Sequence, residues 1–390
     1  MEIKEIKSLV SGQIDARCQQ LSELSLKIHA NPELGFHEVQ AAGWLTHYLE
    51  ENGFSIQRGI CRLPTAFRAS YGKGRPTIAI LAEYDALPGL GHACGHNLIA
   101  TCAVGAGVAA KRAVDQFGGN ILVIGTPAEE IYGGKSIMAD RGAFNNLDIA
   151  MMVHPGTDNI ATTRALANQT VEVKFHGKAA HAAARPEAGI NALEAMTLSF
   201  AAVNSLRQHI RSTARIHGII DDGGQAVNAV PAYCSGIFKV RATDDAYLDE
   251  LKLKVLNCFI GAATASGARL EYHWSEGRYA PMHNNLPLAH LFKRNMESLG
   301  RKVRVYAPSD GFGSTDMGNV SQLVPSIHPR FAIASKEIAG HSPQFAEAAA
   351  SEDGIRGMLD ATKSMAMTVV DLLASPEVIT EIKGKFKQAK

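Results

Sequence analysis

The sequence has no long apolar run and no strong excess of either charge. No stretch approaches about 18 consecutive uncharged apolar residues, so we expect no segment that spans a membrane. The first residues, MEIKEIKSLVSG, mix charged and apolar side chains and lack the apolar core of a signal peptide. The formal net charge of +1 gives no overall field that favours nucleic acid, a membrane surface or an acidic partner.

Cysteine is also scarce, with six residues scattered over a chain of 390. Their spacing suggests no disulfide framework, so we expect reduced thiols and a soluble, cytoplasmic protein. Aromatic residues make up only 6% of the chain, but hydrophobic residues make up 46%. This apolar content supports a large core and excludes a disordered chain. The length favours two or three domains.

Strands and helices alternate through most of the chain. The runs TIAILAEYD, NILVIGTPAEE and DIAMMVHPG are nearly continuous in apolar residues, which is typical of strands buried on both faces. Their alternation with helices predicts an α/β fold with a mostly parallel sheet covered by helices on both faces. Helices are expected over 14–52 (with a break at Asn31-Pro32), 103–116, 286–299 and 354–374, and a further strand over 304–308.

The pattern changes near residue 168, where strands alternate apolar and polar residues as they do with one wet face. Two pairs of strands and two long helices follow, which predict a smaller α+β domain inserted into the larger one. We therefore expect a first part of the catalytic domain at 1–167, an inserted domain at 168–283 and a second part at 284–390. The inserted domain is expected to act as a lid and to make a dimer.

The stretch LPGLGHACGHNLIAT places Cys94 and His96 two residues apart in a turn-rich segment. In an extended backbone, residues i and i+2 point to the same side, so a thiolate and an imidazole can face one site. Two adjacent carboxylates, Glu129 and Glu130, follow the next predicted strand and are expected to diverge. One of them can bind a metal ion while the other faces a water molecule.

His154 lies at the end of the third predicted strand, and His341 lies in the later loop AGHSPQF. Ligands in open α/β sheets gather beyond the carboxyl ends of the strands. Thiolate, imidazole and carboxylate are the ligands that zinc prefers, and a catalytic site leaves one position open for water. Each of these residues alone is ordinary, but the combination predicts a metal site.

A pair of cations about 3.5–4 Å apart would polarise a carbonyl and lower the pKa of water from 15.7 to about 7. A carboxylate such as Glu129 then accepts the proton. One alternative from the residues alone is that Cys94 is a nucleophile activated by a histidine. His96 is too near in sequence to orient well against that thiol, so the metal site is favoured.

The chain resembles a family of co-catalytic metallohydrolases that contains aminoacylase-1, carboxypeptidase G and succinyl-diaminopimelate desuccinylase. The motifs that carry the resemblance occur in the family's order over nearly the whole chain: HANPELGFHEVQAA, DALPGLGHACGHN, TPAEE, VHPG, GKAAHAAARPEAGINALEA, GGQAVNAVPAYCSGIFKVRA, GSTDMGNVS and GHSPQF. It is similar above all to the branch of auxin-conjugate amidohydrolases, aminobenzoyl-glutamate hydrolases and β-alanyl dipeptidases.

The resemblance implies a role for each matching residue. The implied metal ligands are Cys94, His96, Glu130, His154 and His341, with Glu129 as the general base. Asp85 matches an aspartate that orients the metal ligands without binding the metal itself. His181 matches a histidine that polarises the scissile carbonyl, often from the partner subunit, and Asn228 and Arg241 match residues that hold the substrate's backbone and carboxylate. The implied cofactors are two divalent metal ions, Zn²⁺ or Mn²⁺.

The function expected from this resemblance is hydrolysis of an amide bond in an N-acyl amino acid or dipeptide-like substrate with a free carboxylate. The attacking group would be a metal-bound hydroxide. We expect a homodimer that binds small molecules, and neither nucleic acid nor membrane. Two positions depart from many relatives, which have histidine where this chain has Glu83 and aspartate where it has Asn97. An aminobenzoyl-glutamate-type hydrolase subunit and a non-catalytic partner subunit therefore stay open as alternatives.

Overall fold

The computed structural model of the chain describes residues 2–307, 310 and 313–388, and only the backbone of residues 131 and 132. The α-helices are α1 (Ile3–Ala16), α2 (Cys18–Ala30), α3 (Val39–Glu51), α4 (His96–Phe117), α5 (Glu129–Tyr132), α6 (Gly134–Asp140), α7 (Ala192–Leu206), α8 (Asp245–Ser266), α9 (Leu286–Ser298), α10 (Met317–Leu323), α11 (Pro343–Ala348), α12 (Glu352–Ala374) and α13 (Pro376–Gln388). The strands are β1 (Ser55–Arg58), β2 (Phe67–Lys73), β3 (Thr77–Ala82), β4 (Gly119–Gly125), β5 (Ile149–Met151), β6 (His154–Gly156), β7 (Ala167–His176), β8 (Arg215–Asp222), β9 (Tyr233–Ala242), β10 (Arg269–Trp274), β11 (Ser326–Ile327) and β12 (Arg330–Ala332).

The contacts divide the chain into two compact units. The first unit comprises Met1–Arg164 and Met282–Lys390, and the inserted unit comprises Ala165–Pro281. Among the helices that the structure describes, none combines the length and the apolar character that a membrane crossing needs.

A six-stranded sheet in the order β1-β2-β4-β3-β5-β11 forms the centre of the first unit. Strand β3 pairs in parallel with both β4 and β5, and β5 pairs in parallel with β11, while β1 and β2 run antiparallel at one edge. A separate two-stranded parallel ladder joins β6 and β12. Every residue of β3 is buried, because helices cover a central parallel strand on both faces.

Helix α4 is the main buried helix of the first unit, and its small residues explain how closely it packs. A side chain at Gly107 would place its Cβ 2.5 Å from Val123 of β4, and one at Gly105 would lie 3.0 Å from Thr362 of α12. Only glycine lets the helix approach both neighbours at these points. Because α4 begins at His96, this tight packing also fixes the position of that imidazole.

The inserted unit has a four-stranded antiparallel sheet in the order β10-β7-β9-β8. Helices α7 and α8 pack together, and the second apolar core includes Phe259 of α8 and Phe238 of β9. Strand β7 alternates buried and more exposed residues from Thr170 onward, as expected for a sheet covered on one face.

The predicted α/β fold with a largely parallel sheet is confirmed, and α9 and α12 lie within two residues of the helices expected at 286–299 and 354–374. The expected strand over 304–308 is wrong in its described part, where Arg304 forms only an isolated bridge with Ile160. Its last residue, 308, lies outside the described residues. Strand β8 and helix α13 are additions that the sequence pattern did not reveal.

Candidate active site

The site lies where two neighbouring parallel strands end. Residues Ala82 of β3 and Gly125 of β4 are partners at the carboxyl ends of the two strands. The chain continues from β3 to Glu83 and Asp85, and from β4 through a short loop to Glu129. The sheet therefore brings two acidic segments together at one edge.

Cys94 lies at the centre of a cluster of potential metal ligands. Its Sγ atom is 3.5 Å from Nε2 of His154 and 3.4 Å from Nε2 of His341. The Oε1 atom of Glu130 is 3.7 Å from Nε2 of His341 and 3.8 Å from Nε2 of His96.

The ligand atoms form three overlapping groups, in each of which all the atoms lie within 4.8 Å of one another. The groups are Cys94, His96 and His154; Cys94, Glu130 and His341; and His96, Glu129 and Glu130. The six residues expected at a metal site are thus close together, although 247 residues separate the first from the last. Their individual roles stay predictions.

Two local conformations differ from the expected ones. Cys94 and His96 do not lie in an extended segment, because Gly95 between them is left-handed (φ 74°) and His96 opens α4. A Cβ at Gly95 would lie 2.7 Å from Pro155, next to His154. Glu129 and Glu130 form the first turn of α5 instead of extended backbone. The side chains of adjacent helical residues also diverge, by about 100°.

Asp85 connects two of these elements. The Nδ1 atom of His96 lies 3.1 Å from Oδ1 of Asp85 and 2.8 Å from its carbonyl oxygen, so Nδ1 carries the proton and donates it. The backbone N–H of Glu130 donates to Oδ2 of Asp85 at 3.0 Å. The Nε2 atom of His96 is left facing the cluster, and a histidine held through Nδ1 in this way is oriented as a metal-binding histidine needs.

The donor atoms of the cluster fit a metal ion. Among the residues that the structure describes, Glu83 Oε2, His96 Nε2 and Glu130 Oε1 are buried and have no hydrogen-bond partner. Buried polar atoms are normally satisfied, so three such atoms in one cluster are a specific feature. A thiol, imidazoles and carboxylates form a donor set that suits zinc and related cations.

A buried ion network lies against the cluster, and the sequence did not reveal it. Nζ of Lys135 contacts Oε1 of Glu83 and lies 2.8 Å from Oδ1 of Asp316. The backbone N–H of Lys135 donates to Oδ2 of Asp316 at 2.7 Å. All three side chains are at most 1% exposed. The other oxygen of Glu83 is 3.5 Å from Nε2 of His96, so the departure at Glu83 places a carboxylate beside a candidate ligand.

Burial and charge perturb the titration of the site. Burial raises the pKa of Glu129 well above its usual range, and Glu130, Glu83 and Asp316 raise it further. Burial and the neighbouring charge of Glu130 also raise the pKa of the Cys94 thiol. A nucleophilic cysteine needs a lowered pKa, so the direction of this shift does not favour the nucleophile alternative.

The inserted unit contains the candidate carbonyl-polarising histidine, His181, and the two candidate substrate-binding residues, Asn228 and Arg241. His181 is exposed and forms an isolated bridge with Ala229, next to Asn228, whose carbonyl oxygen accepts from the N–H of Ala182 at 3.0 Å. Arg241 lies on β9, and its Nε donates to Nε2 of His217 at 3.3 Å. The structure therefore brings His181 and Asn228 together.

Comparisons with known proteins give a consistent result. The model of peptidase family M20/M25/M40 matches residues 79–364. The chain is 37% identical to a Xaa-Arg dipeptidase of Mus musculus, with 99% of this chain and 93% of the relative covered. It is 30% identical to a p-aminobenzoyl-glutamate hydrolase subunit of Escherichia coli (strain K12), with 99% and 96% covered.

A solved dinuclear metal-binding peptidase of the M20 family from Bacillus subtilis has the same fold. The TM-score is 0.67 at 21% identity, and the match covers 92% of this chain and 99% of the other. The family match extends over well more than half of the chain and includes the whole cluster described above. The chain belongs to peptidase family M20/M25/M40 and is a metal-dependent hydrolase of amide bonds.

Proposed function

We propose that the cluster holds two divalent cations, Zn²⁺ or Mn²⁺, and that the enzyme hydrolyses N-acyl amino acids or dipeptides. The proposed ligands are Cys94, His96, Glu130, His154 and His341. The observation that supports this most directly is the group of buried, unpartnered donor atoms beside Cys94. When bound, such cations polarise a carbonyl group and lower the pKa of water.

Glu129 is the proposed proton carrier. It lies in the same group of donor atoms as His96 and Glu130, and it is 9% exposed. Burial and neighbouring carboxylates raise its pKa, which makes it a better base than an ordinary carboxylate. It takes the proton of the attacking water and returns it to the nitrogen of the departing amine. Asp85 is proposed to hold His96 and the backbone of Glu130 in place during these steps.

His181 is proposed to polarise the scissile carbonyl. The backbone N–H groups of Ala183 and Ala184 approach its Nδ1 at 3.3 and 3.2 Å, so Nδ1 accepts and Nε2 carries the proton. A neutral imidazole in this tautomer can donate from Nε2 to a developing oxyanion. Asn228 and Arg241 are proposed to bind the substrate's amide and its free carboxylate, since a guanidinium pairs well with a carboxylate.

We also propose that the inserted unit acts as a lid and forms a homodimer, in which His181 acts in its own or the partner subunit. Several large apolar side chains of this unit are exposed, including Ile219 at 62%, Ile220 at 41% and Val227 at 102%. Large apolar side chains left exposed to water favour contact with a protein partner. A cytoplasmic location would keep the six free cysteines, including Cys94, reduced.

The acyl group and the amino acid stay open between two substrate types. The relatives include a Xaa-Arg dipeptidase and a p-aminobenzoyl-glutamate hydrolase subunit. An aminobenzoyl-glutamate-type hydrolase subunit is therefore an alternative to a dipeptidase. A non-catalytic partner subunit is a weaker alternative, because the six ligand and base residues lie together.

The test is the variant Glu129→Gln, assayed with a panel of N-acyl amino acids and dipeptides and analysed for bound metal. We expect kcat to fall by about 10²–10⁴-fold, the usual contribution of a general base, while the metal content stays unchanged. The exposed Glu352→Gln is the matched control and should keep full activity. Near wild-type rates for Glu129→Gln would show that another group carries the proton.

The same assay separates the metal mechanism from the cysteine nucleophile. Exhaustive chelation should abolish turnover, and adding Zn²⁺ or Mn²⁺ should restore it. Turnover that survives metal removal but is lost on alkylation of Cys94 would favour the nucleophile. No turnover of any substrate by the purified, metal-loaded chain would favour the non-catalytic alternative.

A further inference from the structure

A polar cavity of about 490 Å³ opens in the first unit, next to the strand pair that carries His154, one of the candidate metal ligands. Its described walls include three cations and two carboxylates: Arg304, Arg330, Lys336, Asp158 and Asp310. The volume is large enough for an amino-acid side chain. None of these residues belongs to the site proposed above.

The cavity adjoins the cluster because it shares a strand pair with His154. Arg330 on β12 is the direct partner of His154 on β6, and partners in a parallel ladder project to the same face. The aliphatic part of the Arg330 side chain passes over Gly156. A Cβ added at Gly156 would lie 3.6 Å from Cβ and from Cδ of Arg330. The cavity wall at 157 and 158 begins directly after β6.

The two carboxylates of the cavity already have cationic partners. Asp310 accepts hydrogen bonds from Nη1 and Nη2 of Arg304 at 2.6 and 2.9 Å and so forms a bidentate ion pair with it. Asp158 accepts from Nε of Arg304 at 2.7 Å and lies 3.6 Å from Nζ of Lys336. Both acids are therefore neutralised within the protein.

Arg330 differs from these residues. Within the part of the chain that the structure describes, its guanidinium has no hydrogen bond and no carboxylate within ion-pair distance. It is partly buried. A partly desolvated guanidinium that faces a polar cavity needs an anionic partner, and its paired N–H groups can bind a carboxylate in a bidentate way.

We propose that Arg330 binds a side-chain carboxylate of the substrate and so makes the enzyme selective for an acidic residue or a dicarboxylic acyl group. This inference rests on the proposed function and names its substrate class. The cations of the cavity outnumber its carboxylates by three to two, so the cavity favours an acidic over a basic side chain. The free carboxylate of the substrate main chain is assigned to Arg241 and is a separate contact.

The test compares N-acetyl-glutamate with N-acetyl-glutamine, which differ in one charge and are matched in shape, and adds N-acetyl-arginine. We expect wild-type kcat/KM to favour the glutamate compound over glutamine by about 10–100-fold, the usual effect of one charge-assisted pair. Arg330→Gln should reduce this ratio to below about 3 with little change for N-acetyl-glutamine. Equal losses for both compounds would assign Arg330 to the main-chain carboxylate and overturn the proposal, as would a wild-type preference for N-acetyl-arginine.

Lys336→Gln is the matched control, because it removes one positive charge from the rim of the same cavity, where the lysine side chain is 74% exposed. It should keep the glutamate preference, and an equal loss there would indicate a general field rather than a contact of Arg330. Arg330→Lys keeps the positive charge but loses the bidentate guanidinium, so it should retain an intermediate preference for N-acetyl-glutamate. This variant serves as the test if Arg330→Gln does not fold.

Binding of the same compounds to the metal-loaded protein by calorimetry gives a readout without turnover. Tighter binding of N-acetyl-glutamate that depends on Arg330 supports the cavity assignment even where no compound is hydrolysed. Hydrolysis with no difference between the two compounds overturns the cavity assignment and leaves the proposed function intact.

Discussion

Replacing Lys135 with methionine removes the cation that joins Glu83 and Asp316. Methionine keeps most of the volume of the lysine stem, so the main change is electrostatic. The lysine is 0% exposed, and the carboxylates of Glu83 and Asp316 are 1% and 0% exposed. Burial disfavours the charged lysine, but Asp316 and Glu83 outweigh it and raise the pKa above the ordinary value. We therefore expect a large loss of stability.

The magnitude follows from the burial of the network. Removing one partner of a buried ion pair costs about 3–5 kcal/mol, because the other charge stays buried without compensation. The first unit has about 270 residues, and an unfolding entropy of about 2.1 cal/mol/K per residue converts this loss into a decrease in Tm of about 5–9 °C.

The assay is thermal unfolding of the metal-free protein in a Trp274→Phe background. Trp44 is then the sole tryptophan and reports on the first unit. Metal-free protein is used because bound metal would stabilise the folded state by mass action. The double variant Glu83→Gln with Lys135→Met removes an orphaned charge as well, so it should recover a substantial part of the lost stability.

Two results would refute the reasoning on Lys135. The first is a Tm for Lys135→Met within about 2 °C of the parent, which would mean that the buried lysine is not needed to balance the carboxylates. The second is an identical Tm for the single and double variants, which would mean that Glu83 and Lys135 act independently.

Two further predictions concern the backbone around the site. Burial and Asp85 raise the pKa of Glu38 from 4.5 to about 7, so the folded state binds a proton that the unfolded chain has released. The free energy of unfolding should therefore fall by about 3 kcal/mol as pH rises from 4.5 through 7. Glu38→Gln should flatten this fall, measured as the difference between urea-unfolding midpoints at about pH 5 and about pH 8, and an unchanged difference would contradict the prediction. Gly95→Ala should weaken zinc binding, measured by calorimetry, by at least about tenfold. The reason is that the added Cβ would lie 2.7 Å from Pro155 and that the backbone φ at this position is 74°. The control is Gly43→Ala, whose Cβ would meet nothing within 4 Å, and it should leave the affinity for zinc unchanged.

The position of the site could be predicted from the sequence because it depends on topology. Buried apolar runs identify parallel strands, and the carboxyl ends of parallel strands meet at one edge. The acidic pair at Glu129 and the imidazole of His154 follow two such strands, so their convergence required no knowledge of side-chain conformation. His341 was different, because a loop residue has no periodicity to place it, and the resemblance to a family supplied its role.

The ion network could not be predicted in the same way. Lys135 is 52 residues from Glu83 and 181 from Asp316, and single charged residues at such distances carry no pattern. Strand β8 escaped prediction for a related reason. It is an edge strand with mostly exposed or half-buried residues and a glycine within it, so it lacks a clear apolar alternation.

Two residues at the site have a left-handed backbone although neither is glycine: Ala128, with φ of 60°, precedes the proposed base, and His341, with φ of 59°, is a proposed ligand. Such conformations cost about 1–3 kcal/mol each and persist only where the surroundings impose them. A hydrogen bond from the backbone N–H contributes to holding each of them here. The N–H of Ala128 donates to Oε1 of the buried Glu38 at 2.8 Å, and the N–H of His341 donates to the carbonyl oxygen of Ala93 at 3.0 Å. Since Ala93 is next to Cys94, the second bond sets the spacing of thiol and imidazole through the backbone. The strain is therefore borne by the fold, and a cation would meet ligands that are already oriented.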